Sequence, residues 1–166
     1  RRQRQMCIRD RDKVIYVDFD GVYRNSEVWI NGHSLGFRPN GYVSFRYDLT
    51  PYLRYGSQPN VIAVKADNSE QPNSRWYSGS GIYRNVWLVK VNPVHVDNWG
   101  TFVHDMKISS EEATFALEVR IRNSSEADRE AEVSTSIYDD RNKVVTASVT
   151  TLLRVPYTPC YDTRMR

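Results

Sequence analysis

The chain is organised around residues 73–87, which read Asn73-Ser74-Arg75-Trp76-Tyr77-Ser78-Gly79-Ser80-Gly81-Ile82-Tyr83-Arg84-Asn85-Val86-Trp87. The stretch begins as a polar loop after a proline and ends as an apolar run. Gly79 and Gly81 bracket a serine, which predicts a tight corner or a close backbone approach, because glycine adopts backbone angles that other residues avoid. The β-branched, aromatic and aliphatic residues after the corner predict a buried strand over residues 82–91.

The loop before this corner carries the candidate binding residues. A sugar ring offers C–H faces and hydroxyls together, so aromatic faces beside hydrogen-bonding tips suit a carbohydrate. An indole, a phenol and a cation lie side by side here, next to an amide. The candidate substrate-binding residues are Asn73, Ser74, Arg75, Trp76 and Tyr77. The alternative is that the two aromatic residues only plug one end of a β-sandwich.

Composition bounds the class of protein. The 166 residues are 40% hydrophobic and 26% charged, which is typical of a globular chain with one or two domains. The net charge of +3 arises largely from arginines in residues 1–11, so we expect no nucleic-acid partner. No apolar run approaches the roughly 20 residues that span a bilayer, and we expect no membrane partner.

Neither the cysteines nor the histidines suggest a metal site. Cys7 and Cys160 lie near opposite ends of the chain and form no disulfide framework or ligand cluster. His33, His95 and His104 lack the spacing of metal ligands, so we predict no metal site. Residues 1–11 resemble a translated sequencing adapter, and we interpret them as non-native. They contain no apolar stretch that could form a secretory signal.

The first half of the chain predicts short strands and tight turns. Residues 13–20 and 61–66 are rich in β-branched and aromatic residues, and residues 42–47 alternate with period two. Asn31-Gly32 lies between two short strands and predicts a type I′ hairpin turn. Residues 48–53 predict one helical turn, with Asp48 or Thr50 capping it and Pro51 at its first position.

The second half predicts a plainer sandwich after a boundary at Pro93. Strands are expected near residues 94–103, 114–122, 132–138 and 143–152, with Phe115, Leu117, Val119 and Ile121 on one face and Val133 and Ile137 among the inward residues. That is about four or five strands, where a complete immunoglobulin-type sandwich has about seven. The expected domains are therefore 12–93, 94–153 as an incomplete sandwich, and a tail over 154–166.

Several motifs occur in a characteristic order: Phe19-Asp20-Gly21-Val22-Tyr23, Val28-Trp29-Ile30-Asn31-Gly32, Leu35-Gly36, Tyr47-Asp48-Leu49-Thr50 and Trp76-Tyr77-Ser78-Gly79-Ser80-Gly81-Ile82-Tyr83-Arg84. Together they closely resemble the N-terminal sugar-binding domain of glycoside hydrolase family 2, and of its β-galactosidases in particular. The resemblance covers residues 13–93 and implies an all-β fold, with a jelly-roll-like, galactose-binding-type β-sandwich followed by an incomplete immunoglobulin-like β-sandwich.

The resemblance implies a parent enzyme that is a retaining glycosidase. In that family two glutamates on a (β/α)8 barrel act as acid/base and nucleophile, about 5 Å apart. This chain lacks the barrel, so we predict no catalytic residue in it and no activity of the chain alone. Its own glutamates are assigned to solvated faces and turns: Glu27, Glu70, Glu111, Glu112, Glu118, Glu126, Glu130 and Glu132.

The resemblance also bears on partners and cofactors. It implies a β-galactoside-like substrate, the missing barrel as an intramolecular partner, an oligomeric parent, and a periplasmic or extracellular location in a bacterium. Bacterial β-galactosidases of the family place an acidic residue just before the tryptophan that matches Trp76, and it contacts galactose and a cation. Asn73, Ser74 and Arg75 occupy those places here. We therefore expect no cofactor in this chain, and galactose specificity stays open.

Two other classes of function compete with a glycosidase fragment. The chain can instead be a free-standing carbohydrate-binding module, or a β-rich adhesion or scaffold segment. Open sheets favour the fragment, because unpaired strand edges promote aggregation in a module that stands alone. The family resemblance by itself does not choose between galactoside, glucuronide and mannoside.

Overall fold

The computed structural model describes residues 12–70, 79–145 and 148–158, with the backbone alone for residues 105 and 106. The chain is all-β, as predicted, and it divides into two compact units between Asn92 and Pro93. The first unit contains β1 (Val14–Phe19), β2 (Val22–Tyr23), β3 (Ser26–Ile30), β4 (His33–Arg38), β5 (Phe45–Asp48), β6 (Ile62–Ala66), β7 (Gly81–Ile82) and β8 (Val86–Val91). The second unit contains β9 (Val94–Ile108), β10 (Ala113–Asn123), β11 (Arg129–Thr135) and β12 (Val149–Val155).

Two antiparallel three-stranded sheets enclose the core of the first unit. Their strand orders are β5-β1-β8 and β4-β3-β6, and the short pair β2-β7 lies beside them. Strand β1 is buried almost throughout, because both of its edges are paired. The core combines side chains from both sheets: Ile15, Val17, Phe19, Val22, Val28, Ile30, Phe45, Tyr47 and Leu49.

The local turns follow the sequence closely. Asn31 and Gly32 have φ angles of 51° and 89°, as a type I′ turn between β3 and β4 requires. A single 3-10 turn forms at Thr50–Tyr52, with a proline in its first positions. Leu49 is its N-terminal cap residue, while the Asp48 carboxylate accepts a hydrogen bond from the Thr50 amide at 2.8 Å. The helical turn is confirmed, but the capping prediction is wrong, because Leu49 holds the N-cap position and no side chain caps the turn.

The prediction of one continuous buried strand over residues 82–91 is wrong. The segment divides into β7 and β8, separated by residues 83–85. Strand β8 pairs only with β1 among the described residues, so its other edge has no partner within that part of the chain. Val86, Trp87 and Leu88 are 45%, 54% and 48% exposed. Strand β8 is mostly apolar, as the prediction assumed. Composition does not reveal which neighbours cover a strand.

The second unit contains two antiparallel pairs, β9-β10 and β11-β12. They border an apolar groove of about 1000 Å³. The predicted inward residues line it: Phe115, Leu117, Val119, Ile121, Val133 and Ile137. The last strand differs from the prediction, because it begins at Val149 and continues to Val155, inside the predicted tail. An isolated antiparallel bridge between Tyr138 and Val144 precedes it, and two aspartates at residues 139–140 lie within the connecting turn. Assignment of this unit to an immunoglobulin-like domain stays a prediction.

Candidate functional site

The candidate binding residues Asn73, Ser74, Arg75, Trp76 and Tyr77 lie outside the described residues. The structure does place the chain on both sides of them. Tyr23 of β2 is paired with Gly81 of β7, where the glycine has a φ of 88°. The side-chain amide of Asn68 donates to Ser80 Oγ at 2.8 Å. The residues that precede and follow the candidate segment are therefore hydrogen-bonded to each other, and strand pairing beside β2 fixes their position.

A turn at residues 67–70 is held against the connection between β2 and β3. The Asp67 amide donates to the Arg24 carbonyl at 2.9 Å, and Arg24 Nη2 donates to Glu70 Oε2 at 3.0 Å. The Asp67 carboxylate accepts hydrogen bonds from the hydroxyl and the amide of Ser69, which hold the pKa of Asp67 below its ordinary value. Local hydrogen bonds from Ser69 and long-range contacts with Arg24 thus hold this turn, which leads directly to the candidate segment.

Aromatic rings pack tightly against two glycines of the first unit. The Tyr83 hydroxyl donates to the Gly41 carbonyl at 2.9 Å. A Cβ atom at Gly21 would lie 2.6 Å from the Tyr83 ring, and one at Gly41 would collide with the ring of Tyr23. Tyr42 contacts Tyr23 edge-on, with ring centroids 5.3 Å apart. A side chain at either glycine would therefore displace a tyrosine ring, that of Tyr83 at Gly21 and that of Tyr23 at Gly41.

A second polar and aromatic group lies on the outer face of the sheet β5-β1-β8. Trp87 is paired with Asp18 across β1 and β8, and its indole Nε1 donates to Asp20 Oδ2 at 3.1 Å. The Asp18 carboxylate binds the guanidinium of Arg46 at two points, each 2.6 Å long. Arg46 in turn lies over the Tyr16 ring, 4.8 Å from its centroid. This face combines planar hydrogen-bonding groups with an exposed indole.

The glutamates lie where the sequence suggested. Glu27 is half-buried on β3, and the other seven are exposed: Glu70, Glu111, Glu112, Glu118, Glu126, Glu130 and Glu132. In the described part of the chain, no three His, Cys, Asp or Glu side chains gather closely enough to hold a metal ion. The described residues also include no helix long and apolar enough to cross a membrane. That no glutamate here is catalytic stays a prediction.

Sequence reasoning missed several residues that the structure brings together. The ion pair of Asp18 with Arg46 and the contact of Trp87 with Asp20 both join positions far apart in the chain. Period-two alternation places Asp18 on the outer face of a strand, but it does not identify the partner strand. The clash of a Gly41 Cβ with Tyr23 has no local signal either. A predicted sheet order would have been needed to find them.

The chain is similar to a known protein family and to a known bacterial protein. Residues 5–92 match the family model described as the glycosyl hydrolases family 2, sugar binding domain. This match includes residues 5–11, part of the segment 1–11 that we interpret as non-native. The chain is similar to a β-galactosidase of Bacteroides ovatus, with 52% identity over 136 residues. That alignment covers 82% of this chain and 16% of the relative.

The chain is also similar to a second bacterial protein and to a protein of known crystal structure. A putative β-glucuronidase of Formosa agariphila is 47% identical over 110 residues, and the alignment covers 66% of this chain and 10% of the relative. The crystal structure of a family 2 glycosyl hydrolase from Bacteroides cellulosilyticus superimposes with a TM-score of 0.86 and 33% identity, over 92% of this chain and 21% of that chain. The chain thus spans a small fraction of the proteins that it resembles.

Proposed function

This chain belongs to glycoside hydrolase family 2, whose sugar-binding domain it carries at residues 5–92, and we propose that it forms the non-catalytic β-domain portion of a β-galactosidase. The 52% identity with the β-galactosidase of Bacteroides ovatus is the observation that carries the proposal. A β-glucuronidase is the second candidate, because the Formosa agariphila relative is 47% identical. Family membership alone does not fix the sugar.

The parent enzyme hydrolyses its glycoside with retention of anomeric configuration. Two carboxyl groups about 5 Å apart supply the acid/base and the nucleophile, and both belong to a barrel outside this chain. Seven of this chain's glutamates are exposed. Their exposure supports the assignment of both catalytic carboxyl groups to the barrel, because a catalytic acid needs a shielded site that raises its pKa. The chain contributes binding surface and holds no reacting group.

The substrate contact of this chain is the segment Asn73, Ser74, Arg75, Trp76 and Tyr77. Two anchors beside it support the proposal: the hydrogen bond from Asn68 to Ser80, and the pairing of Tyr23 with Gly81. Anchored ends lower the entropy that a loop loses on binding. Residues 73–75 include no carboxylate, so the chain supplies no acidic cation ligand there.

The proposal is tested on the polypeptide that carries this chain together with its downstream barrel. Its kcat/KM is measured for aryl β-galactoside, β-glucuronide and β-mannoside. Preference for the galactoside supports the first candidate, and preference for the glucuronide selects the second. Absence of turnover on all three, in a folded protein with a barrel, overturns both.

The binding segment is tested with Arg75→Ala in the same polypeptide. Loss of a charge-assisted hydrogen bond costs about 1.5–3 kcal/mol, or roughly a tenfold to hundredfold lower kcat/KM, with little change in melting temperature. The control is Arg54→Ala, because Arg54 is exposed and its described hydrogen bonds use only backbone groups. Unchanged kinetics in Arg75→Ala remove Arg75 from the site. A lower melting temperature with an unchanged kcat/KM would show that the segment only packs against the β-sandwich.

A further inference from the structure

The chain contains two Asn-Gly dipeptides, at residues 31–32 and 40–41. The side-chain carbonyl carbon of an asparagine can be attacked by the main-chain nitrogen of the next residue, and a glycine there leaves that nitrogen unhindered. Because the two dipeptides are identical, a difference in their reactivity must come from the fold around them. The reaction joins atoms of adjacent residues and needs only water, so it requires neither a ligand nor a free surface.

Asn31 is held by a second segment of the chain. Its Nδ2 donates to the Tyr52 carbonyl and to Asn60 Oδ1, each at 2.8 Å. Its Oδ1 accepts from the Val61 amide at 3.0 Å. These partners lie 21 to 30 positions further along the chain, and they direct the carboxamide away from its own peptide. The Gly32 nitrogen cannot attack until these hydrogen bonds break.

The Asn40 carboxamide is instead folded back over its own peptide. Its Oδ1 accepts from the Tyr42 amide at 2.8 Å, and its Nδ2 has no hydrogen-bond acceptor in the part of the chain that the structure describes. A bond to the amide two residues on keeps the side chain beside the intervening peptide, which is that of Gly41. It also aims a donor at the oxygen on which negative charge develops when the Gly41 nitrogen attacks, as an oxyanion hole does.

Packing retains glycine at residue 41. A Cβ atom there would lie 2.3 Å from the Tyr23 ring, and the Gly41 carbonyl accepts from the Tyr83 hydroxyl at 2.9 Å. Any other residue would displace the ring of Tyr23, so the fold preserves the reactive dipeptide. For the same reason, a change in the length of the main chain at this place would disturb both tyrosines.

We propose that Asn40-Gly41 is a site of spontaneous deamidation and isomerisation, whereas Asn31-Gly32 is protected by its hydrogen bonds. The Gly41 nitrogen bonds to Asn40 Cγ, the bond from Cγ to Nδ2 breaks, and ammonia leaves with the proton of the Gly41 amide. Water then opens the five-membered ring at one of its two carbonyl carbons, which gives aspartate or isoaspartate. Isoaspartate lengthens the main chain by one methylene, about 1.5 Å, and so displaces Gly41 from the tyrosine rings. This chemistry goes beyond the proposed function and does not depend on it.

The test is prolonged incubation of the polypeptide that carries this chain together with its downstream barrel, followed by peptide mapping. Chymotrypsin cuts after Phe37 and separates the two asparagines, whereas trypsin does not cut between Arg38 and Pro39 and would leave both in one peptide. Isoaspartate is measured with protein isoaspartyl methyltransferase, and a digest before incubation gives the background. Asn40 should accumulate at least about tenfold more product than Asn31, because fewer hydrogen bonds must break. Equal modification of the two asparagines, or none at Asn40, overturns the proposal.

Two variants test the cause of the difference. Asn40→Gln should abolish the product at this position, because glutamine would have to form a six-membered ring. Asn60→Ala removes one acceptor of Asn31, so it should raise modification at Asn31 severalfold and leave that at Asn40 unchanged. Unchanged modification of Asn31 in a folded Asn60→Ala protein contradicts protection by hydrogen bonding.

The structural consequence has its own control. Asn40→Asp carries the added negative charge on a main chain of normal length, so it should melt at the same temperature as the unmodified protein. The isoaspartyl form, separated by ion exchange, should melt at a lower temperature because Gly41 is displaced from Tyr23 and Tyr83. Equal melting temperatures for the isoaspartyl form and Asn40→Asp contradict that displacement.

Discussion

Asp18 and Arg46 form a two-point ion pair across β1 and β5, with both N–O distances at 2.6 Å. The two residues are directly opposite each other in the register of these strands. Their side chains are only 23% and 20% exposed, and the guanidinium also covers the ring of Tyr16. The pair therefore adds a specific polar contact between β1 and β5, on the face of β1 that also carries the buried Val14 and Tyr16.

Removal of one charge from this pair should be costly. Asp18→Asn replaces charge-assisted hydrogen bonds with neutral ones, and we expect the free energy of unfolding of the first unit to fall by about 1.5–3 kcal/mol. The measurement is urea unfolding of the full polypeptide. Lys65→Ala is the control, because Lys65 and Asp67 are 3.9 Å apart and exposed. If the two variants are equally stable, the ion pair does not stabilise the first unit.

Asn123 should be the most sensitive polar residue of the second unit. It is fully buried at the end of β10. The polar residues 123–127 predict an exposed turn at this place. The side-chain amide of Asn123 donates to the carbonyls of Ala127 and Val155, both at 2.9 Å, and its Oδ1 accepts from the amide and the hydroxyl of Ser125. Asn123→Ala leaves buried groups unpaired, at a cost of about 1–3 kcal/mol in the free energy of unfolding.

Two variants refine this prediction. Asn123→Asp preserves the acceptor for Ser125 but loses both donors, so it should also destabilise the second unit. Asn98→Ala removes an exposed asparagine whose described hydrogen bond uses only its backbone amide, and it should change stability by less than about 0.5 kcal/mol. Thermal unfolding of the three variants compares them. Similar melting temperatures for Asn98→Ala and Asn123→Ala would rule out the structural role.

The turn before the candidate segment should respond to pH through Asp67. Its folded pKa is lowered from 3.8, first by the hydroxyl of Ser69 and then by the amide of Ser69. The stabilisation from this carboxylate is therefore complete above its unfolded pKa and is lost as pH falls below about 3.8 through the folded value. Ser69→Ala should raise the pKa of Asp67, as measured by NMR titration of its carboxyl carbon. An unchanged pKa would show that the Ser69 hydroxyl is not the main cause.

The apolar groove of the second unit should make the isolated 166-residue chain aggregate and bind hydrophobic dyes. Unpaired strand edges and open apolar faces promote aggregation and dye binding. Leu117→Ser should lower the fluorescence of a bound hydrophobic dye, because Leu117 lines the groove. Leu152→Ser should not, because Leu152 is 70% exposed and is not among the lining residues. A monodisperse wild-type chain that melts sharply would instead favour a free-standing binding module.

Local signals allowed much of the fold to be predicted. The Asn31-Gly32 turn, the helical turn at Thr50–Tyr52 and the one-sided alternation of β10 each depend on a few adjacent residues, and the structure agrees with them. What failed depends on neighbours from elsewhere in the chain. The apolar β8 was read as buried because composition reports a preference for burial, whereas exposure depends on which strands pair with it and cover it.

The candidate site was only partly accessible to sequence reasoning. The family motifs pointed to residues 73–77, where aromatic and polar residues are adjacent in the chain. The hydrogen bonds that flank this segment, from Asn68 to Ser80 and from Arg24 to Glu70, join residues 12 and 46 positions apart. The hydrogen bond from Trp87 to Asp20 joins residues 67 positions apart. Alternation alone does not reveal such pairs, because it specifies the face of a strand and not its neighbour.

The central claim is that this chain is the non-catalytic β-domain portion of a retaining glycosidase. Proton NMR of aryl β-galactoside hydrolysis tests it most directly, with the 166-residue chain and the barrel-containing polypeptide followed side by side at equal concentration. We expect the longer polypeptide to release the β-anomer first and the isolated chain to give no product. Turnover by the isolated chain that disappears on mutation of one of its own glutamates, or first release of the α-anomer by the longer polypeptide, would contradict it.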